Sequence, residues 1–274
     1  MSRKVIALSL FLVTALLLAL GGCRQPGSGK ATPEATKQFL KLRGYEFDEK
    51  SFLSAAAAGD VMAINGFLSA GMNPNARAGD DGDTALGAAA SRGDLKTVNA
   101  LLQGGADLNF EVRGGWTAFL LALSKEQDEM ADALVSRPEL KLEAQAPHGM
   151  SALMFASWNE NGEILTKLLQ RGADANHQDG DGDTALHWAA MRDSIRLAKM
   201  LLDHGANPNL ANKLGGTPLM WAASYDREEI TRFMLANGAD PRLKDHNGLT
   251  AAAWAEKNKH TGLAKLLRAA EKGE

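Results

Sequence analysis

The sequence predicts an all-α fold: a solenoid of about seven stacked helix-turn-helix units, caps included, with β-hairpin loops between them. Three observations predict this fold. A triplet similar to Thr-Ala-Leu recurs every 33 or 34 residues, a small residue follows three positions after each triplet, and an apolar pair comes later in each unit. Because one unit cannot bury its own apolar face, only the stacking of neighbouring units can supply a core.

The triplet and the small residue define the first helix of each unit. The triplets are Thr84-Ala85-Leu86, Thr117-Ala118-Phe119, Ser151-Ala152-Leu153, Thr184-Ala185-Leu186, Thr217-Pro218-Leu219 and Thr250-Ala251-Ala252. The small residues are Ala89, Ala122, Ala156, Ala189, Ala222 and Ala255. Small side chains at these positions let neighbouring helices approach each other closely.

The apolar pair marks the core face of the second helix in each unit. The pairs are Leu101-Leu102, Leu134-Val135, Leu168-Leu169, Leu201-Leu202, Met234-Leu235 and Leu266-Leu267. Gly105, Gly172, Gly205 and Gly238 follow four of these pairs and suit the left-handed conformation that ends a helix.

This pattern resembles the ankyrin repeat, whose consensus contains Thr-Pro-Leu-His, two alanines, a Leu-Leu pair and Gly-Ala-Asp-x-Asn. Residues 184–189 (TALHWA) and 217–223 (TPLMWAA) match it closely, and the resemblance covers residues 50–270. The preceding segment, PEATKQFLKLRG, is predicted to form an amino-terminal capping helix. The resemblance implies an elongated concave surface of the kind that usually binds a protein partner.

The sequence departs from the repeat at two kinds of position. The third unit carries Ser-Arg-Pro-Glu-Leu at residues 136–140 where its neighbours have Gly-Ala-Asp, so its closing turn must differ. The glycine between the two helices is present only as Gly59 and Gly93. In later units the same position holds Glu126, Glu160, Asp193, Asp226 and Lys259. A left-handed conformation costs such residues about 1 kcal/mol.

The amino terminus is predicted to be a targeting segment. Residues 1–22 place Arg3 and Lys4 before sixteen uncharged, mostly apolar residues, which is typical of a signal peptide. The stretch Leu20-Gly21-Gly22-Cys23 resembles the bacterial lipobox, which implies cleavage before Cys23 and lipid attachment to that residue. An ordinary signal peptide and a retained anchor helix are the alternatives.

The lipobox resemblance also implies a location. Because Arg24 follows the cysteine where an aspartate would favour retention in the inner membrane, we expect an outer-membrane lipoprotein that faces the periplasm, if the host is diderm. Residues 23–33 then form the lipidated cysteine and a flexible tether, and residues 34–274 form the repeat domain.

Composition and motifs argue against several function classes. A formal net charge of −3 without a basic stripe weakens a nucleic-acid interface. One cysteine can form neither an intrachain disulfide nor a thiolate zinc cluster. No serine lies in a nucleophile elbow, and no histidine pair has the spacing of a zinc hydrolase. We therefore expect a monomer that is not an enzyme, with no catalytic residue, metal or cofactor.

Candidate partner-binding residues occupy the variable positions of the loops and of the exposed side of the first helices. Aromatic residues and arginine at such positions are favoured anchors for a partner. The candidates are Trp116, Met150, Trp158, Arg192, Leu214, Tyr225, Asp81 and Asp181. Trp188, Trp221 and Trp254 recur every 33 residues in one position and are therefore interpreted as packing residues.

Two function classes stay open. The leading hypothesis is a non-enzymatic protein that binds an envelope partner, either as an immunity protein against a delivered toxin or as a scaffold. The alternative is a metal-binding or small-ligand protein, or an enzyme, that uses the acidic loops around residues 80–83 and 179–183. The second loop alternates carboxylates as calcium loops do, but Ala190 stands where the bidentate glutamate should be.

Overall fold

The computed structural model describes residues 32–79 and 82–273. The predicted signal peptide, the predicted lipidation site Cys23, most of the predicted tether and the candidate Asp81 lie outside the described residues. The chain divides into two compact units, one up to Arg113 and one from Gly114 onward. Among the helices of residues 32–79 and 82–273, none combines the length and the apolar character of a membrane span.

The described part of the first unit contains five helices and one antiparallel β-hairpin. Helix α1 confirms the predicted capping helix: it buries Phe39 and Leu40, and it begins at Pro33, the first residue of the predicted capping segment and the last of the predicted tether. In the hairpin, Arg77 lies opposite Thr84. The elements are α1 (Pro33–Leu42), α2 (Glu49–Ala58), α3 (Val61–Ser69), β1 (Arg77–Ala78), β2 (Asp83–Thr84), α4 (Ala85–Ser91) and α5 (Leu95–Gln103).

The described part of the second unit contains ten α-helices in five antiparallel pairs. The first helix of each pair packs against the first helix of the next, and from α7 to α13 the second helices pack in the same way. This stacking is what the repeat predicts, although within the described residues only β1 and β2 form paired strands. The helices are α6 (Ala118–Ser124), α7 (Asp128–Val135), α8 (Ala152–Trp158), α9 (Gly162–Gln170), α10 (Ala185–Met191), α11 (Ile195–Asp203), α12 (Pro218–Ser224), α13 (Glu228–Ala236), α14 (Ala251–Lys257) and α15 (Thr261–Lys272).

The threonine of the triplet caps the first helix of a pair. In α6 the Thr117 hydroxyl accepts a hydrogen bond from the amide of Leu120 at 3.3 Å, and in α12 the Thr217 hydroxyl accepts one from Met220 at 3.4 Å. A side-chain oxygen at this position satisfies an amide that the helix itself leaves unpaired, which stabilises a helix by about 1 kcal/mol. The triplet is thus a helix-start signal.

The small residue after each triplet is fully buried among the stacked helices. All six alanines of this position, Ala89, Ala122, Ala156, Ala189, Ala222 and Ala255, are 0% exposed. A larger side chain at any of them would overpack the interface between stacked helices, which typically costs about 1–3 kcal/mol. The periodic alanines therefore set the distance between repeats, as the sequence predicts.

The turn between the two helices is left-handed in every unit where the sequence predicts it. The glycines have φ of +73° at Gly59 and +72° at Gly93. The non-glycine residues follow the same path: φ is +54° at Glu126, +55° at Glu160, +58° at Asp193 and Asp226, and +68° at Lys259. The repeat geometry therefore imposes this conformation whatever residue is present.

The divergent closing turn of the third repeat is held by one arginine. The guanidinium of Arg171, at the end of α9, donates hydrogen bonds to the carbonyl oxygens of Val135 at 2.7 Å, Leu140 at 2.8 Å and Pro138 at 3.3 Å. Leu140 is buried. The prediction that this turn differs is confirmed, and the arginine supplies the donors that the irregular backbone lacks.

Asparagines in the last position of Gly-Ala-Asp-x-Asn connect consecutive helix pairs. The side-chain oxygen of Asn209 accepts a hydrogen bond from the amide of Asp240 at 2.7 Å, and its amide group donates to the carbonyl of Gly238 at 2.8 Å. Asn176 makes the same two contacts one repeat earlier. Each such side chain therefore joins its own loop to the loop of the next repeat.

Candidate functional site

Four aromatic side chains form a continuous row in the second unit, here called the aromatic row: Trp158, Trp188, Trp221 and Tyr225. Trp158 ends α8, Trp188 and Trp221 lie in α10 and α12, and Tyr225 follows α12. Successive ring centres are 5.2, 5.4 and 6.4 Å apart. The first two contacts are edge-to-face, an arrangement that aromatic rings favour.

Both ends of the aromatic row are exposed. Trp158 is 41% exposed and Tyr225 is 50% exposed, whereas Trp188 and Trp221 are half-buried. Arg192 covers part of the first end, because its guanidinium lies 5.3 Å from the ring centre of Trp158 and its Nε lies 3.0 Å from the carboxylate of Glu160. The row therefore presents two exposed rings and an arginine that is already paired.

A groove of about 430 Å³ adjoins the other end of the aromatic row. Trp221 and Tyr225 of the row line it, together with Trp254 of α14 and the side chains of two neighbouring loops. Leu214, in the second loop, also lines the groove and is 73% exposed. The volume lies within the range of about 300–1,000 Å³ that is typical of ligand pockets.

Backbone hydrogen bonds hold the loops of the groove side by side. The amide of Lys213 donates to the carbonyl of Asp181 at 2.9 Å, and the amide of His246 donates to the carbonyl of Leu214 at 3.0 Å. This approach requires glycine: Gly182 has φ of +84°, and a Cβ there would lie 2.8 Å from the Lys213 nitrogen. The loop residues are thus held in place before any partner binds.

The carboxyl group of Asp183 is buried at the edge of the groove. Burial raises the pKa of Asp183 to about 6, and the neighbouring carboxylates of Asp179 and Asp181 add to this rise. A hydrogen bond from the side-chain amide of Asn212, at 2.8 Å, acts in the opposite direction. At pH 7 most molecules carry a negative charge at this position.

His187, in α10, is fully buried next to Asp183, with 3.9 Å between its Nε2 and the carboxylate. Its Nδ1 accepts a hydrogen bond from the Thr184 amide at 3.0 Å, so Nε2 carries the proton and donates to the carbonyl of Gly216 at 3.1 Å. Burial lowers the pKa of His187 to about 4. The imidazole is therefore neutral at pH 7 and joins α10 to the following loop.

Asp245 contributes another negative charge to the lining of the groove. Burial alone would raise the pKa of Asp245. Hydrogen bonds from the amides of Leu249 (2.8 Å) and Asn247 (2.9 Å) and from the indole of Trp254 (3.0 Å) outweigh it and hold the pKa below its usual range. The carboxylate is thus ionised and fixes the orientation of the Trp254 ring.

Five of the predicted partner-binding residues lie at the two ends of this surface. Asp181, Leu214 and Tyr225 line the groove. Trp158 and Arg192 contact each other at the opposite end of the aromatic row. The structure therefore brings together residues that the sequence places in three different repeats.

Two other predicted residues take a different position. Trp116 is half-buried and packs against Phe155, with 5.8 Å between ring centres, and Met150 is also half-buried. Neither residue lines the groove. Asp81 lies outside the described residues.

Sequence reasoning missed Trp221 and Trp254 as groove residues. Their 33-residue spacing indicates a packing role, and Trp188 and Trp221 do pack against each other. Trp221 and Trp254 also line the groove. A signal was available, because Trp221 precedes Tyr225 by four residues and the two therefore share one face of a helix.

The acidic loop at residues 179–183 is a self-capped turn. The carboxylate of Asp179 accepts hydrogen bonds from the amides of Asp181 and Asp183, both at 2.9 Å. In residues 32–79 and 82–273, no three His, Cys, Asp or Glu side chains are grouped as metal ligands would be. The alternation of carboxylates thus has a local structural explanation.

Comparison with known proteins gives consistent matches. A family model described as ankyrin repeats (three copies) matches residues 52–146 and 153–245. An ankyrin repeat protein of Rickettsia felis is 29% identical over 134 residues, an alignment that spans 48% of this chain and 44% of that protein. The chain thus aligns with less than half the length of this relative.

A solved structure is also similar. The crystal structure of an ankyrin repeat domain from Acinetobacter baumannii superposes with a TM-score of 0.61 at 27% sequence identity. The superposition covers 68% of this chain and 96% of that domain.

Proposed function

This chain belongs to the ankyrin-repeat family, and from that premise we propose that it is a lipid-anchored, non-enzymatic protein that binds a protein partner in the periplasm. Ankyrin repeats are typical scaffolds for protein interaction and are generally not catalytic. The observation that carries the proposal is the aromatic row with its groove, where Trp158, Tyr225 and Leu214 remain exposed.

The proposed contact surface combines the aromatic row with the groove, and we infer that it belongs to the concave side of the repeat. Exposed Trp and Tyr side chains are the residues on which interfaces depend most, and truncating such an anchor often costs about 2 kcal/mol or more of binding free energy. The loops that carry Asp181 and Leu214 are already fixed by backbone hydrogen bonds. Binding therefore needs little ordering of the backbone, which favours affinity.

The test of partner binding uses the full chain, solubilised in detergent from the envelope of its host, as affinity bait. We expect a partner that binds the natural chain to be lost from a Trp158→Ala/Tyr225→Ala variant. Leu42→Ala is the matched control, because Leu42 is 68% exposed and belongs to α1 of the first unit. Circular dichroism melting establishes that all three baits are folded. Equal capture by all three would contradict the proposed surface.

The anchoring part of the proposal rests on the amino-terminal sequence. Lipid on Cys23 would hold the domain at the membrane without a spanning helix. Each methylene of an acyl chain that is buried in the bilayer contributes about 0.8 kcal/mol to the free energy of membrane binding. We expect Cys23→Ala to release the protein from the membrane fraction and to abolish incorporation of labelled palmitate. In a diderm host, Arg24→Asp should redirect it to the inner membrane. Membrane retention of the Cys23→Ala chain would instead indicate a retained anchor helix.

Affinity and stoichiometry separate the two forms of the proposal. An immunity protein should bind its toxin one to one at nanomolar affinity or tighter, whereas a scaffold works at micromolar affinity. The small-ligand alternative predicts that calcium or zinc raises the melting temperature, because a ligand that binds only the folded state stabilises it. We expect no shift with either ion, and a saturable increase would favour that alternative.

A further inference from the structure

One of the residues that line the groove is small. Ser224 lines the groove, and the same position holds Ser91, Ser124, Trp158, Met191 and Lys257 in the other repeats. Trp221 and Trp254 line the same groove, so we expect a longer side chain at position 224 to narrow it. The neighbouring repeats thus supply natural substitutions that would fill it.

The groove combines aromatic walls with an excess of negative charge. Its aromatic lining comes from Trp221, Tyr225 and Trp254. Its charged lining residues are three carboxylates, Asp181, Asp183 and Asp245, and one base, Lys213. A partner group that complements this lining is cationic and has a flat or apolar surface for the rings.

Two of the three carboxylates keep free acceptor positions. Asp181 is exposed and forms no ion pair with the basic side chains of residues 32–79 and 82–273. In Asp183, Oδ1 accepts the hydrogen bond from Asn212, whereas Oδ2 accepts none from the described part of the chain. Asp245, in contrast, uses both oxygens on neighbouring donors.

The chain uses the same chemistry within its own fold. Arg192 lies over the ring of Trp158 while it pairs with Glu160. The position of Arg192 is occupied in the next repeat by Tyr225, 33 residues later. At the groove an arginine is therefore replaced by a tyrosine, which leaves aromatic rings and carboxylates in place without an internal guanidinium.

We propose that the groove receives an arginine side chain of the protein partner, with its guanidinium against the rings of Trp221 and Tyr225 and within reach of Asp181 and Asp183. The proposal rests on the proposed function, since the arginine belongs to the partner. Arginine suits the groove better than lysine because its planar guanidinium stacks on aromatic rings, is weakly hydrated and pairs with two carboxylate oxygens at once.

The test titrates the full chain, in detergent and with ¹⁵N-labelled tryptophan, with N-acetyl-arginine amide. Five tryptophans give five indole signals, which Trp→Phe variants assign. We expect the signals of Trp221 and Trp254 to shift saturably at millimolar concentrations, while the signal of Trp116 stays in place. N-acetyl-citrulline amide has the same shape without the charge and should bind about tenfold more weakly.

Variants place the site in the groove. Asp181→Asn should weaken binding of the arginine probe severalfold. The exposed side chain of Asp181 makes no hydrogen bond or ion pair within the described part of the chain, so the change should leave the fold intact. Ser224→Met should abolish binding by filling the groove with the residue of the preceding repeat. Glu163→Gln, an exposed glutamate in α9, makes the same change of charge elsewhere and should have no effect.

Three results would overturn the proposal even if the arginine probe binds. Equal shifts with citrulline would remove the role of charge, and equal affinity for N-acetyl-lysine amide would remove the selectivity for guanidinium. Unchanged binding by the Ser224→Met variant would place the probe outside the groove. A partner that is captured through Trp158 and Tyr225 while the arginine probe fails would retain the proposed function and reject only this inference. Probe binding with no partner captured would reject the proposed function and leave only the affinity of the groove for a guanidinium group.

Discussion

We predict that Asp183 and His187 make opposing contributions to the pH dependence of the free energy of unfolding. Replacing either residue should reveal the contribution of the other. The two side chains are 3.9 Å apart and both are buried, yet burial moves their pKa values in opposite directions. For the carboxyl group the neutral form is protonated, and for the imidazole it is deprotonated. Over the same range of pH, folding therefore favours proton binding by Asp183 and disfavours proton binding by His187.

The sign for Asp183 is as follows. Its pKa rises from 3.8 to about 6 on folding, so between these values the folded state holds more protons than the unfolded state. The free energy of unfolding consequently falls as pH rises through this window. The full shift corresponds to about 3 kcal/mol, and screening by solvent at the edge of the groove reduces it to about 1–2 kcal/mol.

His187 acts in the opposite sense. Its pKa falls from 6.5 to about 4 on folding, so between these values the unfolded state holds the additional proton. The free energy of unfolding therefore falls as pH decreases through this window, by about 3 kcal/mol in total. Because the two windows overlap between about pH 4 and 6, the natural chain should show only the small difference between these terms.

Two variants separate the terms. Asp183→Asn keeps an oxygen for the hydrogen bond from Asn212, and of the two contributions to the pH dependence only that of His187 remains. His187→Met uses the residue that Met220 supplies in the next repeat, where its sulfur accepts a hydrogen bond from the Thr217 amide at 3.5 Å. Relative to the natural chain, the aspartate variant should gain stability as pH rises from 4.5 to 6.5, by about 1–2 kcal/mol, and the histidine variant should lose more than that.

The assay is urea unfolding at pH 4.5 and 6.5, followed by tryptophan fluorescence and circular dichroism. The other titratable groups are shared by all the chains, so their contributions cancel when each variant is compared with the natural chain. In the double variant, the free energy of unfolding should again depend only weakly on pH. If both single variants changed in stability with pH in the same direction, relative to the natural chain, the reasoning would be refuted. It would also be refuted if the histidine variant had the same pH dependence of stability as the natural chain.

Three further predictions concern stability and use the same unfolding assay. Glu126→Gly should stabilise the chain by about 0.5–1 kcal/mol, because glycine removes the cost of φ at +54°. Its control, Gly59→Ala, should destabilise by about 1–2 kcal/mol, since φ is +73° and the new Cβ would lie 2.8 Å from the Asp94 carboxylate; a destabilising Glu126→Gly or a stabilising Gly59→Ala would contradict us. Arg171→Met should cost about 2–4 kcal/mol, because three backbone carbonyls lose their donor, and a loss below 0.5 kcal/mol would show that water replaces it. Asn209→Ala should cost about 1–3 kcal/mol and Asn209→Asp less, because the aspartate still accepts from the next loop; equal losses would argue against this contact.

The repeat architecture could be predicted because its signals are local and recur. Each helix start needs a capping hydroxyl near the beginning of an apolar pattern, and each tight helix contact needs a small residue at a fixed distance from it. The left-handed turn at Glu126 or Lys259 follows from its position between two helices, which the 33-residue period transfers from Gly59 and Gly93. Local backbone geometry, repeated many times, leaves little freedom for the fold.

The candidate site could be predicted only in part. Variable positions identified Tyr225, Leu214 and Asp181 as surface residues, because exposed positions are those that the repeat does not require for packing. The same logic assigned Trp254 entirely to packing, although it also lines the groove. Periodicity shows that a residue has a structural role, but it does not show which edge of a large ring stays accessible.

The sequence by itself determined the repeat, its helices, its left-handed turns and the set of residues from which a binding surface could be drawn. Only the tertiary structure decided that Ser224 and Tyr225 line a groove, that Asp183 and His187 are both buried, and that Arg171 holds the irregular turn. The physical reason is that the groove, the burial of Asp183 and His187 and the contacts of Arg171 all depend on residues of neighbouring repeats. Their distances and shared burial arise only when the repeats stack.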